Sequence, residues 1–201
     1  MKLDIPLIGI LRGVGGSFFK ELMGVSFSAG LQAIEITMNT PGALDIVSGC
    51  RGSVPDNKYL GMGTVRNLEE AKAAVDYGAM FLVSPNTDVR VIEFAGTHNI
   101  PIIAGAFTPT EIYKAWSSGA DMVKVFPCGV FGPEYIKELR GPFDHIPMVA
   151  VGGVNIHNIQ KYFACGAAGV GIGDSLFGRK FLADKDLEGV AGNVKKFIEV
   201  L

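Results

Sequence analysis

Two charged residues stand inside short apolar segments of the sequence. Lys124 lies between two valines in DMVKVFP, and Glu35 lies between two isoleucines in AIEIT. Side chains alternate along a β-strand, so each charge is predicted to face away from its apolar neighbours. Burial lowers the pKa of an amine and makes a neutral, nucleophilic amine available near pH 7. Lys124 is therefore a candidate for Schiff-base chemistry, and Glu35 is the carboxylate expected to be its partner.

The pair admits more than one interpretation. An unpaired buried charge is costly, so Lys124 and Glu35 are expected to lie together, either as an inert ion pair or as a catalytic pair. Lys124 can also extend its stem and place the ammonium group in water. Both residues lie near the end of a predicted strand, and this position favours catalysis.

Two glycine-rich segments, VGGVN and GIGDS, follow the last two predicted strands. Backbone N–H groups of glycines and a serine hydroxyl can hold the oxygens of a phosphate group. Each segment alone is also typical of a plain turn, but their occurrence in consecutive units favours a phosphate site. The candidate substrate residues in these segments are Val151, Gly152, Gly153, Gly173, Asp174 and Ser175.

Other residues that follow predicted strands are expected to surround the same opening. Arg12 follows the first strand, and its guanidinium group matches a carboxylate or a phosphate. A salt bridge at the rim is the alternative for this arginine. The remaining candidates of this kind are Thr64, Pro85, Thr108 and Phe126.

Short apolar segments alternate with helical segments along the whole chain. The predicted strands cover Leu7–Leu11, Ala33–Ile36, Tyr59–Met62, Met80–Val83, Ile102–Ala104, Met122–Val125, Met148–Val151 and Ala168–Ile172. Strands separated by helices pair in parallel through right-handed crossovers. About eight such units predict a (β/α)8 TIM barrel, an α/β fold, as a single domain over residues 1–201. A doubly wound open sheet is the alternative, and it is weakened because no GxGxxG motif follows the first strand.

Several residues mark the ends of the predicted helices. Asn67 precedes LEEAKAAVDYG as an N-cap, and Thr108 begins another helix with Pro109 and Glu111 behind it. A glycine recurs between helix and strand, at Gly30, Gly78, Gly119 and Gly166. Such recurrence is typical of a repeated βα architecture.

Composition and charge exclude several classes of protein. Hydrophobic residues make up 48% of the chain, which excludes a disordered protein, and the formal net charge of −2 offers no basic field for a nucleic-acid partner. No apolar run reaches the roughly 18 to 20 residues that span a bilayer, and the beginning of the sequence is not typical of a signal peptide. We therefore expect a soluble, cytoplasmic protein with no membrane partner.

The cysteines and histidines do not indicate a metal site. Cys50, Cys128 and Cys165 lie far apart and are expected to be reduced, mostly buried thiols. The three histidines show neither HxH nor HExxH spacing. No metal centre is predicted.

Over nearly its whole length the chain resembles the 2-keto-3-deoxy-6-phosphogluconate and -galactonate aldolases, a family that includes 4-hydroxy-2-oxoglutarate aldolases. The matching segments are ILRG (10–13), IEITMNTP (34–41), GMGTV (61–65), SPN (84–86), VKVFP (123–127), FGPEYIK (131–137), VGGV (151–154) and GIGDSLF (171–177). The resemblance implies a (β/α)8 barrel, a homotrimer, Lys124 as the Schiff-base lysine and Glu35 as the general acid and base. It also implies that no metal and no cofactor takes part.

Three features of the sequence resemble the phosphogalactonate branch of that family. Asn39 stands where the phosphogluconate branch usually has an arginine, Val151 stands where that branch favours threonine, and Phe131-Gly132-Pro133 follows the sixth strand. The implied reaction cleaves a phosphorylated 2-keto-3-deoxy sugar acid to pyruvate and glyceraldehyde 3-phosphate. The implied grip on the pyruvyl carboxylate is shared by Arg12, Thr64 and the backbone near Pro85. The alternatives are a 4-hydroxy-2-oxoglutarate aldolase and a phosphate-binding barrel that is not an aldolase.

Overall fold

Eight short strands pair in parallel and in chain order within residues 3–201, the part of the chain that the computed structural model describes. The first strand also pairs with the eighth, so the sheet closes into a barrel and the predicted fold is confirmed. The domain predicted over residues 1–201 includes residues 1 and 2, which lie outside the described residues. The strands are β1 Leu7–Leu11, β2 Ala33–Thr37, β3 Tyr59–Gly63, β4 Leu82–Val83, β5 Ile102–Ala106, β6 Met122–Val125, β7 Met148–Val151 and β8 Gly169–Ile172.

Helices connect the strands and cover the outside of the barrel. They are α1 Gly16–Ser28, α2 Ala43–Arg51, α3 Leu68–Asp76, α4 Val89–Thr97, α5 Pro109–Ser117, α6 Pro133–Arg140, α7 Ile159–Ala164, α8 Asp174–Phe177, α9 Arg179–Asp184 and α10 Leu187–Glu199. A 3-10 turn over Cys128–Val130 lies between β6 and α6. Among the helices of residues 3–201, none has the length and apolar character needed to cross a membrane.

The predicted helix ends are present. The Asn67 side chain accepts a hydrogen bond from the backbone N–H of Glu70 at 2.9 Å, and Thr108 begins α5 in a capping box with Glu111. These caps satisfy N–H groups that have no partner inside the helix. The glycines that end helices have φ between 93° and 111°, and they are Gly30, Gly78, Gly119 and Gly166.

Alternation along the strands separates two apolar regions. The barrel interior contains Ile8, Ala33, Phe81, Val83, Ile103, Val149 and Val151. The larger core between the barrel and the helices includes the neighbours of both charges, Ile34, Ile36, Val123 and Val125. Glu35 and Lys124 therefore face the barrel interior, as the alternating pattern predicts.

Strand β4 is shorter than the predicted segment Met80–Val83. Met80 still donates its N–H to the Leu60 carbonyl at 2.8 Å, but pairing with β5 begins only at Leu82. The residue before β5 is Pro101, whose carbonyl accepts from Leu82 at 2.9 Å. Since proline has no N–H, the ladder cannot extend further back on this side.

Candidate active site

Glu35 and Lys124 come together inside the barrel although they lie on opposite strands, β2 and β6. Glu35 is 1% exposed and Lys124 is 6% exposed. Both line a cavity of about 10 Å³, which is roughly the space of one water molecule. The other residues around this cavity are Ile8, Ile10, Val83, Ile103, Val149, Val151 and Gly171. The pair thus stands in an apolar environment with a small polar centre.

The two charges share a cavity without a direct contact between them. Among the described residues, no ion pair and no side-chain hydrogen bond joins Glu35 to Lys124. The Oε2 atom of Glu35 is buried and has no hydrogen-bond partner. This geometry differs from the inert ion pair that the sequence left open. A bound molecule that fills the cavity can supply the missing contacts.

Burial moves both pKa values toward neutrality. Loss of water raises the pKa of Glu35 from 4.5 to about 7, against the opposing effects of the positive charges of Lys124 and Arg12. Burial also lowers the pKa of Lys124, an effect that Glu35 opposes and Arg12 reinforces. A carboxyl group whose pKa is about 7, beside an amine whose pKa is lowered by burial, can exchange protons with a substrate in both directions.

Gly63 was not among the candidate residues, yet it makes room for the Glu35 carboxylate. It is the last residue of β3 and lies opposite Thr37 of β2. A Cβ atom at Gly63 would collide with Glu35 Oε1 and would lie 2.5 Å from Glu35 Cδ. The signal in the sequence is the glycine at the strand end in GMGTV, but only the register between β2 and β3 brings it against Glu35.

Arg12 directly follows β1 and is exposed. In residues 3–201 it takes part in no ion pair, so the rim salt bridge that the sequence left open is absent. Its charge nevertheless acts on the pKa values of both Glu35 and Lys124. A guanidinium group without a carboxylate partner at this position is suited to an anionic ligand.

Thr64 directly follows β3 and has a left-handed backbone with φ 58°. This conformation is a genuine outlier for a β-branched residue, and it costs on the order of 1–3 kcal/mol. The neighbouring Val65 donates its N–H to the Val83 carbonyl at 3.1 Å and holds the turn against β4. The strained turn directs the chain away from the strand immediately beside Gly63.

The segment after β4 is held by a buried serine. Ser84 is 2% exposed, donates its hydroxyl to the Asn86 carbonyl at 2.8 Å and accepts from Gly105 N–H at 3.0 Å. A Cβ atom at Gly105 would lie 2.6 Å from the Asn86 nitrogen and would also collide with Pro85. Gly105 is the residue of β5 that pairs with Lys124, and its lack of a side chain lets the half-buried Pro85 approach β5 there.

Phe126 lies two residues after Lys124 and contacts its ammonium group. The Nζ atom of Lys124 is 5.0 Å from the centre of the Phe126 ring, and Phe126 is 38% exposed. The ring face attracts a cation and excludes water from one side of it. Phe126 thus lies against the Lys124 ammonium group while remaining partly exposed itself.

The glycine-rich segments after β7 and β8 present free backbone donors. Gly152 and Gly153 have φ of 91° and 79°. In the described part of the chain, the N–H groups of Gly152, Gly153 and Gly173 donate to no protein acceptor. Side-chain amides of Asn155 and Asn158 donate to the Gly153 carbonyl at 3.2 and 2.9 Å and hold the turn. Three unsatisfied donors in two neighbouring segments can receive an anion.

Two side chains of the second segment already have partners. Ser175 donates its hydroxyl to the Val154 carbonyl at 3.1 Å and so links the two glycine-rich segments. Asp174 pairs with the Arg179 Nε at 2.9 Å on the surface. The structure therefore brings Ser175 to the predicted phosphate site as a link between its two halves, while the Asp174 carboxylate is directed to Arg179.

Gly129, which the sequence did not single out, packs against the first glycine-rich segment. A Cβ atom at Gly153 would lie 2.8 Å from the Gly129 Cα, and one at Gly129 would lie 3.0 Å from the Gly152 oxygen. The 3-10 turn after β6 and the turn after β7 thus approach each other through backbone atoms alone. This contact joins the strand of Lys124 to the proposed anion site.

Comparison with known proteins shows which chains this one resembles. A family model described as KDPG and KHG aldolase matches residues 19–192. The chain is 33% identical over 202 residues to the 2-dehydro-3-deoxy-6-phosphogalactonate aldolase of Escherichia coli (strain K12), covering 100% of this chain and 98% of that protein. It is 35% identical over 177 residues to a probable 2-dehydro-3-deoxy-6-phosphogalactonate aldolase of Rhizobium meliloti (strain 1021), covering 87% and 83%. A solved structure described as native KDPGal superposes with a TM-score of 0.93 and 31% identity, covering 100% and 96% of the two chains.

Proposed function

The chain belongs to the KDPG and KHG aldolase family, and from this membership we propose that it is a class I aldolase that acts through a Schiff base on Lys124. The proposed reaction cleaves a 2-dehydro-3-deoxy-6-phosphohexonate to pyruvate and D-glyceraldehyde 3-phosphate. The observation that carries this proposal is the buried, unpaired Glu35 and Lys124 on one cavity. A carbon–carbon lyase of this kind needs one amine and one proton carrier.

Binding of the substrate uses groups at both ends of the molecule. Arg12 receives the carboxylate next to the keto group, with Thr64 and the backbone near Pro85 on the same side. The free N–H groups of Gly152, Gly153 and Gly173 receive the phosphate. Fixing the two ends holds the C2 ketone at Lys124, and this use of binding energy lowers the entropic part of the barrier.

Formation of the Schiff base begins with neutral Lys124. Its nitrogen lone pair attacks C2, the carbonyl π electrons move to oxygen, and Glu35 in its acid form protonates that oxygen. The nitrogen loses a proton to Glu35, and the hydroxyl group leaves as water once it is protonated again. The product is an iminium cation, which accepts electrons far better than the ketone did. The pKa of Glu35 at about 7 suits a group that both gives and takes protons.

Cleavage follows from the same two residues. Ionised Glu35 takes the proton of the C4 hydroxyl, a C4=O bond forms, and the electrons of the C3–C4 bond move into the iminium to give an enamine. Glyceraldehyde 3-phosphate leaves. The enamine carbon C3 then takes a proton from Glu35, and water hydrolyses the iminium to release pyruvate and regenerate the Lys124 amine.

The galactonate epimer is the proposed substrate. Two relatives carry the name 2-dehydro-3-deoxy-6-phosphogalactonate aldolase, and Val151 presents an apolar side chain to the cavity. Valine cannot donate a hydrogen bond to the C4 hydroxyl as a threonine can. Cleavage assays on both C4 epimers and on 4-hydroxy-2-oxoglutarate test this choice, and equal rates on the two epimers would contradict it.

Trapping with borohydride tests the Schiff base. Incubation with pyruvate and borohydride is expected to reduce the iminium and leave a stable adduct, which peptide mass spectrometry assigns to Lys124. The exposed Lys114 on α5 serves as the internal comparison and is expected to stay unmodified. A protein without an adduct would be a phosphate-binding barrel or an enzyme of another class.

The proposed assembly is a homotrimer. The resemblance to the aldolase family supports it, and Val130 and Phe131 are apolar residues that are 65% and 61% exposed. Phe131 also stacks on Phe107, and contiguous exposed apolar side chains can mark a contact surface. Sedimentation equilibrium is expected to give three times the chain mass of 21.3 kDa, and a monomer at all concentrations would contradict the proposal.

The proposed location is the cytoplasm. Its reducing conditions suit the free thiols of Cys50, Cys128 and Cys165. Cell fractionation with detection of the chain tests the location, and recovery outside the cytoplasm would contradict it.

A further inference from the structure

Two buried threonine hydroxyls connect the strand of Glu35 to the segment of Arg12. Thr37 ends β2 and is 0% exposed, and Thr40 lies just beyond it and is 3% exposed. Their Oγ1 atoms are 3.1 Å apart, and the Thr40 Oγ1 accepts the Gly13 N–H at 2.9 Å. Because Gly13 itself is exposed, removal of this acceptor releases its N–H to water and breaks the hydrogen bond between the two segments.

The segment after β1 is held by the buried side chain of Val14, but its backbone makes few hydrogen bonds. Residues 12–15 contain two glycines, Gly13 has φ 70°, and a Cβ atom at either Gly13 or Gly15 would meet nothing within 4 Å. Among the described residues, the bond to Thr40 is the hydrogen bond that ties the backbone of 12–15 to another part of the barrel. Since glycine is the most flexible residue, burial of Val14 does not by itself fix the backbone at Gly13, and we expect the place of Arg12 to depend on the bond to Thr40.

We propose that Thr40 is a positioning residue whose hydroxyl oxygen holds Gly13, and thereby keeps Arg12 beside the Glu35 and Lys124 pair. This inference rests on the proposed function for its kinetic consequence. Arg12 is the guanidinium group whose charge acts on both Glu35 and Lys124. The place of Arg12 matters because electrostatic interactions weaken with distance.

A displacement of Arg12 would change the pKa values of Glu35 and Lys124. Lys124 and Arg12 both oppose the rise of the Glu35 pKa, and Arg12 adds to the fall of the Lys124 pKa. A more distant Arg12 therefore leaves both pKa values higher. Both limbs of a pH profile are then expected to move to higher pH, an effect that loss of stability alone does not produce.

Amide exchange of the free enzyme tests the anchor directly. Thr40→Val has the same shape without the acceptor, and Gly13 N–H exchange is expected to accelerate about three- to tenfold, the value of one hydrogen bond. Thr40→Ser keeps the oxygen and is expected to restore slow exchange. Thr97→Val is the matched control, because Thr97 donates to the Phe94 carbonyl at the far end of α4. Unchanged exchange in Thr40→Val would overturn the inference.

Titration of the Glu35 carboxyl by ¹³C NMR tests the effect on the pair without substrate. Thr40→Val is expected to move the titration to higher pH, in the same direction as Arg12→Ala. In the double variant, Thr40→Val is expected to add nothing, since the two changes act through the same charge. A full additional shift in the Arg12→Ala background would contradict a role through Arg12. Where Thr40→Val does not fold, Thr40→Ala is measured in the same way.

Kinetics connect the anchor to the reaction. Thr40→Val is expected to raise KM for the keto-acid phosphate about three- to tenfold, with rescue in Thr40→Ser. Loss of kcat with unchanged KM and unchanged pH limbs would contradict the inference. If the wild-type chain is not trapped with pyruvate and borohydride, the proposed function fails, while amide exchange and the Glu35 titration still decide the role of Thr40.

Discussion

The barrel interior and the glycine-rich segments after β7 and β8 offer different kinds of polar group. The interior holds two ionisable side chains away from water, with no contact between them. The glycine-rich segments offer N–H groups of the backbone, which do not titrate. Groups that must exchange protons are therefore buried side chains, while groups that only hold an anion are backbone dipoles. Changes in the first region are expected to act on kcat, and changes in the second on KM.

Removal of the amine has the largest expected effect. Lys124→Met is expected to lower kcat by about 10⁴-fold or more, because no other described residue offers a neutral amine in the cavity. Thermal stability is expected to stay equal or rise, since the variant no longer buries an amine. Steady-state assays and calorimetry measure the two effects, with Lys114→Met on α5 as the control. Full cleavage activity in Lys124→Met would contradict the assignment of the chemical step to the barrel interior.

The stability of the chain is expected to depend on Glu35 and on pH. A carboxyl group whose pKa is raised from 4.5 to about 7 adds stability below pH 4.5, and this contribution is lost as the pH rises through 7. The free energy of unfolding of Glu35→Gln, measured relative to that of the wild type, is therefore expected to rise by about 3 kcal/mol from pH 4 to pH 8. Urea unfolding at both pH values measures the difference. Parallel pH profiles for the two chains would contradict the raised pKa of Glu35.

Gly63→Ala is expected to displace the Glu35 carboxylate with no change in the titrating groups themselves. A shift of about 1 Å in a reacting group costs on the order of 100-fold in rate, so kcat is expected to fall by that factor. Gly49→Ala on α2 is the matched control, because a Cβ atom there meets nothing within 4 Å. Cleavage kinetics of both variants are compared. Equal kcat values would show that an added methyl group at Gly63 does not displace the Glu35 carboxylate.

Ser175→Ala has the smallest expected effect and tests the second region by itself. Loss of the link to Val154 is expected to raise KM for the phosphorylated substrate about three- to tenfold. The rate of borohydride trapping with pyruvate is expected to stay unchanged, because pyruvate has no phosphate group. Ser117→Ala on α5 removes a similar side-chain bond and serves as the control. Slower trapping in Ser175→Ala would show that the two regions are not independent.

Much of the fold follows from local patterns. Alternation in AIEIT and DMVKVFP predicted that Glu35 and Lys124 face the same interior, and the apolar segments predicted the strands to within a few residues. Helix ends followed from Asn67, Thr108 and the glycines, since a cap depends only on residues within one turn. The beginning of β4 did not follow, because it depends on Pro101, a residue beyond the next helix.

The roles of individual side chains at the site depended more on tertiary contacts. Ser175 was predicted as a donor to phosphate, and its hydroxyl bonds to Val154. Arg12 was open to a rim salt bridge, and it has no such partner in the described residues. Each outcome depends on side-chain and backbone contacts between neighbouring βα units, and the order of the units along the chain does not specify those contacts.

By itself the sequence determined the barrel, the inward direction of Glu35 and Lys124, and the glycine-rich ends of the last two strands. These properties are set by the period of side chains along a strand and by the backbone freedom of glycine, both of which are local. Only the tertiary structure decided that Glu35 and Lys124 stand apart, that Gly63 admits the carboxylate and that Thr40 holds Gly13. Those outcomes depend on close approach between segments that are distant in the chain, and in a closely packed interior even one added methylene group disturbs such contacts.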